Sequence, residues 1–314
     1  MLSALPAPLP AATVQAASAV VPSLDRRVLA MGTELCLHLE GTGDLARATE
    51  AALAETARLE AACSTWNPAT PWSRLNAAQG ATVPMAAEWI DLLETVKGWT
   101  AHTQGAFDPL LGALLGAWGV RHGGTTPTPE ALAAAREASG AGLLRLDAGA
   151  GTAQLGHAAA GIEEGGFLKG YALDRMKAVA GCPGGLLDFG GQLLAWGPTV
   201  EAAIADPRER QRARLFIQLN NASLSTSGTS ERGRHILDPR TGQPCEGWGS
   251  VAVVAPTGLA ADILSTALYV LGPHAGLAYA EREGVAAAFL LHGGTIRLSP
   301  AFQRLHPRVP KEQP

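Results

Sequence analysis

Between Leu186 and Thr257 four apolar stretches, LLDFGGQLLAWG, TVEAAIADP, ARLFIQLNNASLSTS and GSVAVVAPT, follow one another with no crossover helix between them. Parallel neighbours need a crossover of a dozen or more residues, usually a helix, whereas antiparallel ones close through short turns. This half of the chain therefore predicts an antiparallel sheet. The glycine pair Gly190-Gly191 inside the first stretch predicts a bulge or a close ligand.

The remainder supplies helices. Asp44 is placed to cap LARATEAALAETARLEAAC, AAEWIDLLETVKGWTAHTQG is amphipathic and stops at Gly105, PEALAAAREASG opens on Pro129, and FLKGYALDRMKAVAG is a fourth. LAADILSTALYVLG is a helix inserted among the strands, and a helix-strand-strand tail runs from Ala275 to Leu298. Near the start, RRVLAMGTELCLHLEG reads as one strand interrupted at Met31-Gly32-Thr33. Runs of strands with helices set apart give an α+β class, antiparallel sheets backed by helices.

Bulk properties exclude several functions. Net charge is −4, and no Lys/Arg run or basic stripe is present, so nucleic acid is not an expected partner. Charged residues or Pro/Gly breaks interrupt every apolar run before it reaches bilayer length. Residues 1–24 are Ala/Pro-rich and have no basic residue, so they read as a flexible leader or a degenerate export signal without lipobox cysteine. The body then spans 25–306, with a tail at 307–314. The four cysteines are scattered and the histidines form no zinc spacing. There is no P-loop and no G-x-S-x-G elbow, and GAGLLRLDAGAG lacks the third glycine and preceding strand of a dinucleotide fingerprint.

Several constellations remain. Asp262 and Thr266 stand four apart, one turn of helix, with Ser265 beside them. Two hard oxygens so spaced suit Mg²⁺; equally, Asp262 could answer the helix dipole and Thr266 its own backbone. Phe107-Asp108 fits either an aromatic and a carboxylate for a heterocycle or plain core packing. Gly165-Gly166 open a helix bearing Lys169, which suits a phosphate or leaves a solvated lysine. In SERGRHILDPRTGQP a strand end meets a tight turn, where Asp238 and Thr241 either satisfy turn amides or face a pocket mouth.

Taken together these segments resemble the ApbE-type FAD:protein FMN transferases, in the family's own order from about Arg27 to Leu305. The matching pieces are Met31-Gly32-Thr33; Ser64, Trp66 and Pro68 with Ser73-Arg74-Leu75-Asn76; Gly105, Phe107-Asp108-Pro109 and Trp118-Gly119; Lys169 to Asp174; Thr226-Ser227-Gly228; His235 to Gly242; and Ala261 to Ala267. The resemblance implies an ApbE-like, T-fold-related single catalytic unit. It also implies a reaction in which the threonine hydroxyl of an acceptor flavoprotein, such as a membrane redox complex subunit, attacks the FMN-side phosphorus of FAD. The reaction so implied releases AMP and requires Mg²⁺. By carry-over, Asp262, Thr266, Ser265 and the Gly166 carbonyl hold the metal. Met31, Trp66, Ala106, Phe107, Asp108, Glu163, Lys169 and Ile236 line the FAD site, and His235 is the base or phosphate contact. The family's periplasmic setting comes with the resemblance. FAD pyrophosphatase action and non-catalytic flavin binding are the alternatives. The chain departs from the family pattern at Thr70-Pro71, where Ser-Glu is usual, at Glu163, where Asp is usual, and at Gln192, where Asp or Asn follows the glycine pair.

Overall fold

The computed structural model describes residues 21–228 and 235–310. Most of the expected leader, residues 230–234 of the SERGRHILDPRTGQP stretch and the end of the tail lie outside the described residues. The chain runs β1 (Ser23–Ala30), β2 (Thr33–Glu40), α1 (Leu45–Cys63), α2 (Pro71–Ala77), β3 (Val83–Pro84), α3 (Ala87–His102), α4 (Gly112–Ala117), α5 (Pro129–Glu137), β4 (Leu144–Asp147), β5 (Thr152–Leu155) and α6 (Leu168–Ala180). It continues through β6 (Gly184–Phe189), β7 (Gln192–Trp196), β8 (Val200–Ala205), β9 (Ala213–Leu219), β10 (Ala222–Gly228), β11 (Gly249–Ala255), α7 (Gly258–Arg282), β12 (Ala286–Leu291), β13 (Ile296–Leu298) and α8 (Pro300–Gln303).

Two glycine-bearing stretches differ from their sequence reading. The first strand is a hairpin, because Met31 (φ 44°) and Gly32 (φ 73°) both take positive φ and Ala30 pairs with Thr33. Such a turn matches the right-handed twist of the flanking strands. Gly190-Gly191 is likewise a two-residue turn, with Phe189 paired to Gln192, and no bulge forms. A Cβ on Gly190 would lie 2.8 Å from the Thr33 hydroxyl, so the two hairpin ends are in close contact. Period-2 patterning alone cannot tell a strand with a kink from two strands and a turn.

An eight-stranded sheet in the order β1-β2-β6-β7-β10-β11-β12-β13 forms the centre, and each neighbouring pair is antiparallel. Alternation along the strands divides the core. Leu35, Leu37, Leu187, Phe189, Val251, Val253 and Phe289 pack against Leu168, Leu173, Met176, Ile263 and Leu268 of the helical layer. The intervening Ala252, Ala288 and Leu290 meet Ile204, Leu215 and Ile217 of the β8-β9 ribbon, together with Phe302. The α+β reading with antiparallel sheets backed by helices is therefore the fold observed. At the two ends, Ser23 and Leu24 already belong to β1, and Arg308 of the expected tail bridges Phe216 on β9.

The helices start and stop for local reasons. Asp44 accepts from the Arg47 amide and opens α1, while Pro129 begins α5 behind a Thr128 cap. The inserted helix and the next one merge as α7, kinked where Gly272 (φ 77°) precedes Pro273. Helix α3 ends at His102, three residues before Gly105. Among the described residues no helix is long and apolar enough to cross a membrane.

Candidate active site

The N-terminal turns of α6 and α7 cross almost without a gap. A Cβ on Gly170 would fall 2.2 Å from the Gly258 carbonyl oxygen and 2.8 Å from Cβ of Asp262. Only glycine permits that approach. Three polar side chains fix the crossing. Asp174 accepts from the Gly258 and Leu259 amides at 2.6 and 2.9 Å, satisfying two of the donors that a helix start leaves unpaired. Gln192 Nε2 donates to the Gly258 carbonyl at 2.8 Å. The Gly170 amide donates to Asp262 Oδ2 at 3.0 Å.

Asp262 is buried, and burial pushes its carboxyl above the usual range against the opposing pull of Lys169 and the Gly170 amide. Lys169 is the second residue of α6 and half-buried. One turn along α7 from Asp262, the Thr266 hydroxyl faces Gly166: a Cβ there would stand 3.5 Å from Thr266 Oγ1 and 3.3 Å from the Phe107 ring. Phe107 meets Phe167 edge to face at 6.3 Å. The structure thus gathers Gly166, Lys169, Asp262, Thr266 and Phe107 at one place. Ser265 is adjacent but turned to the sheet, its hydroxyl held by Ser227 at 2.8 Å, Ser225 at 3.1 Å and the Asp262 carbonyl at 3.0 Å.

These residues fit a hard divalent cation. The donors within reach are a buried carboxylate, a threonine hydroxyl and the backbone at Gly166, all oxygens of the kind Mg²⁺ selects. Among the described residues no group of three or more His, Cys, Asp or Glu side chains is arranged for a metal. A cation here would accordingly keep waters or take substrate oxygens.

A second group forms at the other end of the 161–167 loop. Glu163 is paired with Arg121, whose guanidinium also lies 3.7 Å from Glu164 and stacks 4.2 Å over the Trp66 ring. Arg121 further donates to the Thr65 carbonyl at 3.1 Å. Burial and the adjacent Glu164 push the Glu163 carboxyl up to about 7, against the pull of Arg121. Asn76 holds the same loop, accepting from the Ile162 amide at 2.7 Å and donating to its carbonyl at 3.0 Å.

Other expected residues occupy different settings. Both oxygens of Asp108 accept backbone amides, from Leu110 and Ala141 at 2.8 Å each, and Ala106 is fully buried. Met31 sits in the β1-β2 turn against the main core. Ile236 is buried with its carbonyl accepting from Cys245, and His235 before it is half-buried. In the turn that follows, Asp238 accepts from the Arg240 amide at 2.9 Å and Thr241 from the Gln243 amide at 3.2 Å. The two side chains satisfy turn amides, while Trp118 Nε1 ties the turn down through the Gly242 carbonyl at 2.8 Å.

Arg121, Glu164 and Gln192 carry contacts that the sequence reading did not assign. Arg121 stands two residues after Trp118-Gly119, in a 3-10 turn with no periodicity to reveal its partners. Asp174 and Asn76 were visible only as letters in two motifs.

Comparison with known proteins gives the family. Residues 31–289 match the model of the ApbE family. The FAD:protein FMN transferase of Klebsiella pneumoniae (strain 342) is 30% identical over 76% of each chain, and that of Salmonella typhimurium is 30% identical over 70% of each. Among solved structures, the flavinyl transferase ApbE of Pseudomonas stutzeri superposes with a TM-score of 0.81 at 30% identity, covering 91% of this chain and 97% of its own. The Thermotoga maritima ApbE protein gives 0.84 at 26% identity, covering 90% and 99%. With the match running from the β1-β2 turn into β12 and the fold shared over nearly the whole length, this chain belongs to the ApbE family.

Proposed function

We propose that this chain transfers the FMN moiety of FAD to a threonine hydroxyl of a partner flavoprotein with the help of Mg²⁺. The observation that carries the reading is the meeting of Gly166, Thr266 and buried Asp262 beside Lys169, at a helix crossing too tight to relax. Membership of a family whose relatives are FAD:protein FMN transferases supplies the reaction class.

The chemistry balances as a phosphoryl-type transfer. The acceptor oxygen forms a bond to the FMN-side phosphorus, the P–O bond to the bridging oxygen breaks, and AMP leaves with that oxygen. The hydroxyl proton passes to a base, for which His235 is the candidate. Asp262, Thr266 and the Gly166 carbonyl would hold Mg²⁺, which when bound draws charge from the diphosphate oxygens. Lys169 places an ammonium near the same oxygens, where charge grows as the leaving group departs. The buried setting of Asp262 keeps the metal side rigid and poor in water, so these interactions act at low dielectric. Trp66, Phe107 and Glu163 are the residues proposed for the flavin, with Met31, Ala106, Asp108 and Ile236 proposed to complete the lining of the FAD site.

The test is incubation with FAD, Mg²⁺ and a candidate acceptor, followed by mass measurement of the acceptor. Transfer adds the mass of FMN, survives denaturation, and vanishes when the target threonine is replaced by alanine. Free FMN and AMP with an unmodified acceptor would instead mark the chain as a hydrolase. Tight FAD binding without AMP release under any metal would mark it as a binding protein.

A further inference from the structure

Trp66 exposes 66% of its surface, the most of any large aromatic side chain among the described residues. A single exposed aromatic is common on protein surfaces, so what singles Trp66 out is the charged group that holds it. One face is already taken by the Arg121 guanidinium at 4.2 Å, which leaves the rest of the ring open to a planar partner. The same guanidinium is paired with Glu163 and lies 3.7 Å from Glu164, and Glu164 in turn accepts from the Thr65 amide at 2.9 Å. One planar cation therefore joins the Ser64–Pro68 loop, which carries the indole, to the 161–167 loop, which ends at Gly166 beside Thr266.

Only arginine meets these demands together. Its flat, delocalised group stacks on an aromatic face while its edge donates to carboxylates, whereas a lysine offers a single point charge. Two successive carboxylates facing one cation also repel each other once it is removed. We infer that Arg121 is a positioning residue that presets the Trp66 indole and the Glu163 carboxylate for a planar aromatic ring system, and so sets the affinity for the flavin end of the substrate. The inference rests on the reading that FAD is bound here.

The experiment is FAD titration, followed by quenching of flavin fluorescence at fixed Mg²⁺, on the full chain and on R121A, R121K, W66A and the R121A/W66A double variant. R121A is expected to weaken binding roughly tenfold, in line with a cation–π contact plus a charge-assisted pair, and to lower the melting temperature as Glu163 and Glu164 lose their shared cation, whereas R121K should keep the parental melting temperature. In turnover, the KM of R121A for FAD should rise more than its kcat falls. R121K should recover only part of the binding loss. In the W66A background the R121A substitution should cost clearly less than it does alone, because the two side chains act as a unit.

Binding by R121A within about twofold of the parent chain would overturn the inference while leaving FAD as the substrate. Complete rescue by R121K would do the same, since charge without stacking would then suffice. Full additivity in the double variant would remove Trp66 as the route of the effect. A parent chain that does not bind FAD at all would overturn the functional reading beneath it, and that result is distinct from the other three.

Discussion

The group proposed to hold the metal and the group proposed to meet the flavin, joined by the 161–167 loop, are built by opposite means. At the proposed metal side, helix backbones touch at Gly170 and Gly258, and buried Asp262 accepts from the Gly170 amide at 3.0 Å. At the flavin side, Trp66, Arg121 and Glu163 come from loops and a 3-10 turn, held by charge pairing and one stacked cation. Phosphorus chemistry loses rate steeply when donors are misplaced, whereas a flat ring tolerates small displacements of the surface it lies on. Placement by close packing and placement by charge pairing would therefore suit the two ends of the dinucleotide in the function proposed above.

The largest effect should come from the metal side. Asp262→Ala is expected to lower FMN transfer by about a thousandfold, comparable to losing a central electrostatic stabiliser, while FAD binding persists. Chelation of divalent cations should mimic it, and an unchanged Mg²⁺ dependence in the variant would break the assignment of rigid, metal-bearing geometry to this end. Gly170→Ala comes next. Its methyl group would be driven into the Gly258 carbonyl, so the helices must part, at a cost of about 3 kcal/mol in chemical denaturation. A near-parental midpoint would show that the crossing yields more readily than its spacing suggests.

Asp174→Ala tests the cap at the head of α7. Loss of two charge-assisted bonds to the Gly258 and Leu259 amides should destabilise the fold by ~1–2 kcal/mol and lower transfer as the Asp262 turn frays. Stability lost without any change in transfer would uncouple the helix start from the site.

The smallest effect belongs to the flavin side and follows pH. Glu163 has its carboxyl raised from 4.5 to about 7 in the folded chain, so its contribution is fully present below about pH 4.5 and is lost as pH rises through about 7. The parent chain should lose stability across that window, and Glu163→Gln should remove about 1 kcal/mol of the loss, read as melting temperature against pH. Identical profiles for the two proteins would mean that Arg121 keeps the carboxylate ionised throughout. The comparison would then sharpen to a fully charge-paired flavin side.

How much of this was legible beforehand depends on the range of the interaction concerned. Strand-rich stretches without crossovers identified an antiparallel sheet, and Asp44 and Pro129 marked helix starts, because each acts within a few residues of itself. The i, i+4 spacing of Asp262 and Thr266 put both oxygens on one face of a helix, which is where they are found. Met31-Gly32 and Gly190-Gly191 were misread because a positive-φ turn and a distorted strand leave the same letters.

The amino-acid sequence by itself determined the local grammar: which segments are helix or strand, where they cap, and which polar residues share a helical face, since those follow from periodicity and short-range bonding. Tertiary structure alone decided that β2 lies beside β6, that Asp174 reaches the head of α7, that Gly170 meets Gly258, and that Arg121 stacks on Trp66 while pairing with Glu163. Those contacts join residues tens of positions apart, and their energy exists only once the packed core has removed the freedom of the chain between them.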